Sequence, residues 1–318
     1  MRQMVNRVTL QGRVYDHSLT LRTVQKEGEN FGKEFINGTV SIATDDKNLN
    51  VVQVHYSYVT PFFSKSGKEN RNFSILKRIM EGNQTVVGAK DGAEPLLVKV
   101  ESSIDCNDFY PNGSDELVSA QRVSDGFISI IKALPDKANE RNKFESDTLL
   151  IGATKHEVDP EKNVTEAYME LRAAVFGYGY GGILLKPVRL VVKNPAAFSY
   201  FENLEPTTAK PALVNLWGRI ENVTVKTEKT VESAFGEDKV ETATHNVREW
   251  VVTGASKEPL PFGDEGVLTK DELVKLQTDR ETYLAEVKAR TKEYEAKKKS
   301  SAPVNTAPAK VADGEFDF

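Results

Sequence analysis

Cysteine is almost missing: Cys106 is the single one in 318 residues. One thiol excludes an intrachain disulfide and a cysteine-based zinc cluster. Histidine is scarce as well, and His17, His55, His156 and His245 show no metal-ligand spacing. No apolar run approaches the ~20 residues that span a bilayer, and the opening "MRQMVNRVTLQGRV" lacks the apolar stretch of a signal peptide. The expectation is a cytoplasmic protein without a membrane segment. Also missing are a nucleophile elbow, a phosphate loop and a paired-carboxylate motif. "FGYGYGG" (176–182) holds a G-x-G, but a strand-like "ILLKPVRLVV" follows it where a dinucleotide site needs a helix. It reads as a hairpin, with Tyr178 or Tyr180 as open rings. No catalytic residue, metal or cofactor is expected, and no enzyme.

The 39% hydrophobic and 28% charged residues describe a globular chain. A net charge of −5 argues against a polyanion partner, but the charge is graded. Residues 1–100 carry 14 basic and 10 acidic residues, 101–200 carry 11 and 15, and 201–318 carry 17 and 22. The first hundred residues are the basic part, and a local footprint matters more than the whole-chain balance.

Strand periodicity dominates the first 131 residues. "NRVTLQGRV" alternates, and "SLTLRTV", "FINGTVSIATD" and "NVVQVHYSYV" follow it as β-branched, aromatic strands. "NRNFSILKRIMEGN" reads as a short helix capped by Asn72, with Phe73, Leu76, Ile79 and Met80 on one face and Gly82 at its end. "PLLVKVESSI" and "ELVSAQRVSDGFISII" return to strands. Three strands, a helix and two strands is the element order of an OB-fold, a five-stranded Greek-key barrel.

The order then repeats. A linker is expected at 132–146. Strands are expected at 147–158, 166–179 and 182–192, a short helix capped by Asn194 with Pro195 in its first turn, and closing strands at 211–225 and 244–255. "EPLLVKVESSID" and "KPALVNLWGRIE", each just after a helix, share Pro95/Pro211, Leu97/Leu213, Val98/Val214 and Ile104/Ile220. The fold expected is mainly β: OB-fold barrels at 1–131 and 147–266, a long helix at 267–299, and a disordered linker with an acidic tip at 300–318. Thr269 and Glu272 form a capping box for the helix. Arg280 and Arg290 interrupt its apolar seam, which suggests light docking.

Sequence-independent strand binding needs cations along phosphates and open aromatic faces for bases. Candidate cations are Arg7, Arg13, Arg22, Lys33, Lys65, Lys68, Arg71, Lys77 and Arg78. Candidate stackers are Phe31, Phe35, Tyr56, Tyr58, Phe62, Phe63, Phe109 and Tyr110. Alternation puts Tyr56 and Tyr58 on one strand face, which is either binding surface or core, with core ahead for Tyr56. Phe62 and Phe63 are adjacent and cannot both point inward, so at least one is a stacker. Phe109 and Tyr110 lie in the hairpin between strands four and five, as ligand contacts or as a local cluster. Trp217 beside Arg219, and Trp250, read as core before contact.

These stretches resemble the bacterial-type single-stranded DNA-binding proteins. The opening pattern N-x-V-x-L-x-G-R-[LV] occurs as Asn6, Val8, Leu10, Gly12, Arg13 and Val14, and "LTLRTV…GTVSIAT", "ILKRIMEGNQ" and "LWGRIENVTVKTE…THNVREWVV" match later stretches. The ending "DGEFDF" resembles the family's partner-recruiting tail at Asp313, Glu315, Phe316, Asp317 and Phe318. The resemblance covers the first 130 residues best. It departs in the second barrel's opening, "TLLIGATKHEV", which lacks the Asn and Arg, in the missing Pro before the last Phe, and in the long helix. It implies a divergent member, of the kind a phage encodes. Such a protein would bind single-stranded DNA during replication, recombination or repair, recruit partner proteins through its tip, and form a homo-oligomer such as a dimer. The rival readings are an OB-fold structural module of a virion and a strand-annealing accessory.

Overall fold

Alternation builds the first strand, β1 (Asn6–His17). Its Val8, Leu10 and Val14 face inward and are fully buried. Gly12 shares that row, and a Cβ there would sit 2.0 Å from the Ala43 carbonyl oxygen, so the close approach of the next barrel strand needs glycine. The computed structural model describes residues 3–300 apart from 64–65, 83, 89–92, 112–113, 160–163, 180–181, 232–234, 236–238 and 264–265.

The first barrel continues with β2 (Thr20–Thr23), β3 (Glu34–Ala43), β4 (Val51–Val59), the helix α1 (Arg71–Gly82), β5 (Leu97–Phe109) and β6 (Val118–Ile130). β1 pairs antiparallel with β3 and β5, β3 with β4, and β5 with β6. A short parallel contact, Val54↔Val123 and His55↔Ser124, joins β4 to β6 and closes the ring. β2 lies outside the ring as an appendage of β3. Asn70, not Asn72, caps α1: its side chain accepts from the Asn72 N–H at 3.1 Å. Asn72 instead reaches β6, donating to the Gly126 carbonyl and accepting from the Ile128 N–H, both at 3.0 Å. Phe73, Leu76 and Ile79 plug the barrel.

The second half repeats this closure. After the single turn α2 (Ala138–Arg141) come β7 (Asn142–His156), β8 (Tyr168–Gly179) and β9 (Gly182–Val192), then α3 (Phe198–Leu204), β10 (Ala212–Val231) and β11 (Lys239–Ala255). The ring runs β7–β8–β9–β11–β10, with β9 and β11 in the parallel contact. Asn194 accepts from the Ala196 N–H at the turn leading into α3. The protein is thus mainly β, with two OB-fold barrels in tandem and a long helix after them, α4 (Lys270–Ser300). Residues 301–318, expected to be disordered, lie outside the described residues.

Residues 142–146, expected in the linker, form the start of β7 and pair antiparallel with β1 through Asn6↔Ser146, Val8↔Phe144 and Leu10↔Asn142. Val8 also faces Ser102 of β5, and Phe144 faces Gly218 of β10. Ser102 and Gly218 are matched positions of the two repeats, so Val8 corresponds to Phe144 and Asn6 to Asn142. The barrels are related by a pseudo-two-fold axis through the Val8–Phe144 pair. The asparagine thought missing from the second barrel is therefore Asn142, with Lys143 in the place of Arg7.

Thr269 and Glu272 exchange hydrogen bonds at the start of α4. Leu273 and Leu276 then bury against the second barrel with Leu149, Leu185 and Leu213. Docking tightens at Arg280, whose guanidinium donates two 2.6 Å hydrogen bonds to Asp108 of β5, a carboxylate with no exposed surface. The arginine that breaks the apolar seam ties the helix to the first barrel, and Lys288 adds a second contact at Asp115.

Candidate nucleic-acid interface

At one end of the first barrel, aromatic rings and cations gather on three segments. Arg22 of β2 pairs across to Phe35 of β3. The β3–β4 register shifts between Ile36 and Gly38. That irregularity returns Val59 to the core and turns Tyr58 out of the face it was expected to share with Tyr56. Tyr58 is 47% exposed, and its ring lies 4.7 Å from that of Phe35. Val59 pairs with Ile36, so the loop after β4 departs beside Phe35. Its described residues bond to one another: the Phe63 N–H donates to the Lys68 carbonyl and the Gly67 N–H to the Phe63 carbonyl, with Gly67 at φ +63°. It presents Phe62 and Phe63, 60% and 43% exposed, to solvent. Lys68 and Arg71 follow in exposed positions. Lys33 donates to Asn30 beside the exposed Phe31 at the other hairpin.

The remaining nominated residues lie elsewhere. Tyr56, expected as a stacker or as core, is core: it is 2% exposed, burial pushes its phenol upward, and no base can reach it. Arg13 is half-buried on β1 between Ala43 and Leu97. Phe109 is 38% exposed at the end of β5. Tyr110 lies under Lys288 of α4, 5.5 Å from its ammonium, and so belongs to the helix contact. Arg7, Trp217 and Arg219 meet in a groove of about 890 Å³ over the β1–β7 seam, together with Lys99 and Lys143. Trp217, expected in the core, is 43% exposed, and Trp250 is the buried one. Lys65, Asp313, Glu315, Phe316, Asp317 and Phe318 lie outside the described residues.

Three further groups reach this surface, the half-buried Lys99 and the exposed Lys143 and Phe127. Composition hides Lys99 within an apolar strand and Lys143 within a polar stretch that reads as linker. Phe127 is 68% exposed on β6 and pairs across to Glu101. Its signal was the Gly126 before it, at an irregular register where Asp125 takes φ +53°.

Charge at the barrel junction is structural. Asp105 of β5 accepts from Arg122 and Ser124, and its other oxygen meets Lys186 of β9 at 3.1 Å. Burial alone would raise this carboxyl, but Lys186 and the hydrogen bonds from Ser124 and Lys186 hold it below the ordinary range. Burial, with Asp108 and Asp105 nearby, pushes the Cys106 thiol up to about 12, and the thiol donates to the Pro187 carbonyl. No group of His, Cys, Asp or Glu that could hold a metal ion occurs among the described residues. Among them, no helix is long and apolar enough to cross a membrane.

Among the solved structures that resemble the chain are two at 12% identity. A deletion variant of the single-stranded DNA-binding protein from Thermus aquaticus aligns over 83% of this chain and 100% of its own, with a TM-score of 0.44. The wild-type protein aligns over 80% and 94%, with a TM-score of 0.42. No curated protein matches the sequence. The family model that matches is YorF, and it extends from residue 5 to residue 296, across both barrels and nearly all of α4. The chain therefore belongs to the YorF family.

Proposed function

We propose that the protein is a non-enzymatic, sequence-independent binder of single-stranded DNA. The carrying observation is the cluster at the end of the first barrel: Tyr58, Phe62 and Phe63 exposed, with the half-buried Phe35 against Tyr58, beside Arg22, Lys68 and Arg71. Rings left open to water serve no packing purpose, and base–aromatic stacking contributes about 1–3 kcal/mol per base. The cations beside them suit phosphates, and the strand 2–3 face with its loops is where OB-folds take oligonucleotides. A strand held this way is kept unpaired for replication, recombination or repair. The tip Asp313, Glu315, Phe316, Asp317 and Phe318 recruits partner proteins, its rings filling a pocket whose rim carries basic residues.

The test is a titration of a labelled oligo(dT) followed by anisotropy at several salt concentrations, with a duplex of equal length as competitor. Binding that weakens steeply with salt and prefers the single strand is the expected result. Equal affinity for duplex would leave only a basic surface, and no binding would leave a structural OB-fold module.

A further inference from the structure

We propose that the groove over the β1–β7 seam is a second contact for the same single strand, separate from the end of the first barrel. This rests on the strand-binding reading above. The seam makes one continuous outer sheet, β6–β5–β1–β7–β10, and the outward residues on it can be placed by register.

Its middle is cationic. Arg7 and Lys143 are matched positions on either side of the pseudo-two-fold axis; Arg7 stands across from Glu145 and its charge helps hold the Glu101 carboxyl low, while Lys143 pairs across to Thr9. Lys99 is held by Glu101 at 2.8 Å and Arg219 by Glu221 at 2.7 Å. Four cations against the carboxylates of Glu101 and Glu145 line the cavity, so it complements a polyanion. Its flanks are aromatic. Trp217 lies over Gly254, where an added Cβ would meet the indole at 2.3 Å. That glycine leaves the ring flat on the sheet with its other face open. On the opposite flank stands Phe127. From β6 to β10 is four strand spacings, about 19 Å. That is room for a few nucleotides, with phosphates over Arg7 and Lys143 and a base on each ring.

The protein has two tryptophans, one exposed and one in the core. Quenching that is present in the wild type and absent in Trp217→Phe therefore reports on the groove alone. Saturating oligo(dT) of about 40 nucleotides is expected to quench Trp217 emission. Arg7→Ala with Lys143→Ala is expected to lower affinity about tenfold and to reduce the log–log salt slope by about 1.4, at ~0.7 per phosphate contact. Full binding by mobility shift with Trp217 emission and salt slope unchanged would overturn the groove and leave the barrel-end site standing. Loss of binding only in Phe62→Ala/Phe63→Ala would do the same. No binding by the wild type would overturn both readings. A dimer by ultracentrifugation without DNA that shields Trp217 and persists when oligonucleotide is added would assign this face to a second copy of the chain and overturn the proposal.

Discussion

Asn142 does in the second barrel what Asn6 does in the first. Asn6 donates to the Ile104 carbonyl and accepts from the Ile104 N–H, at 3.0 and 2.9 Å. Asn142 makes the same two bonds to Ile220, at 2.6 and 3.0 Å. Each side chain thereby satisfies a backbone pair that the sheet leaves open, from opposite sides of one seam.

Asn142→Ala is expected to destabilise the protein by about 1–3 kcal/mol, because it strands the buried Ile220 N–H while the Ile220 carbonyl keeps its bond from Asn50. Asn6→Ala, at a half-buried site, is expected to cost less. Denaturant unfolding of the two variants checks the order, and an equal or reversed loss would refute the difference in burial as its cause.

Tyr58 and Tyr56 should separate binding from stability. Tyr58→Ala is expected to weaken oligo(dT) binding by about 1–3 kcal/mol with little change in melting. Tyr56→Ala opens a cavity in the core and is expected to cost about 3–5 kcal/mol of stability. Anisotropy and thermal melts on both proteins read the two effects independently.

Asp105 predicts an acid limb in the stability profile. Its carboxyl is held below the ordinary 3.8, so the stabilisation is present above that pH and is lost as pH falls through the lower folded value. Asp105→Asn is expected to be less stable than wild type at neutral pH and to lose less on acidification. Parallel curves for the two proteins would remove Asp105 from the account.

Arg280 should control how α4 is held. Arg280→Ala leaves Asp108 as a buried, unpaired carboxylate, a loss of about 3–5 kcal/mol. Replacing both, Arg280→Met with Asp108→Asn, is expected to restore most of it. Amide exchange along β5 and α4 is the measurement, and a double variant as exposed as the single one would contradict the pairing as the cause.

Element order was legible because period-2 strands such as Val8–Leu10 or Val52–Val54 are buried on one face only, and the α4 capping box was plain. The start of β7 was not. "NKFESDTL" is polar, yet Asn142, Ser146, Asp147 and Thr148 are buried at the seam. Their side chains are satisfied by hydrogen bonds such as Val5 N–H and Asn215 to Asp147. Hydropathy cannot tell a polar residue in water from one bonded inside a junction. Phe62 and Phe63 were found because neighbouring rings cannot share one strand face. The outward faces of Tyr58 and Phe127 are not legible in the alternation, because a single register shift reverses inward and outward positions and such shifts carry little composition signal.

The β1–β7 seam joins two halves of one polypeptide where two identical chains could have met. In a pair of identical chains, every substitution would appear twice, once on each side of the axis. Here a change falls on one side alone. The groove shows the result: Glu101 and Phe127 on one flank face Trp217 and Gly254 at the matched positions of the other. A residue on one half can therefore change while its matched position on the other stays as it is, so the two sides of the groove are chemically unlike.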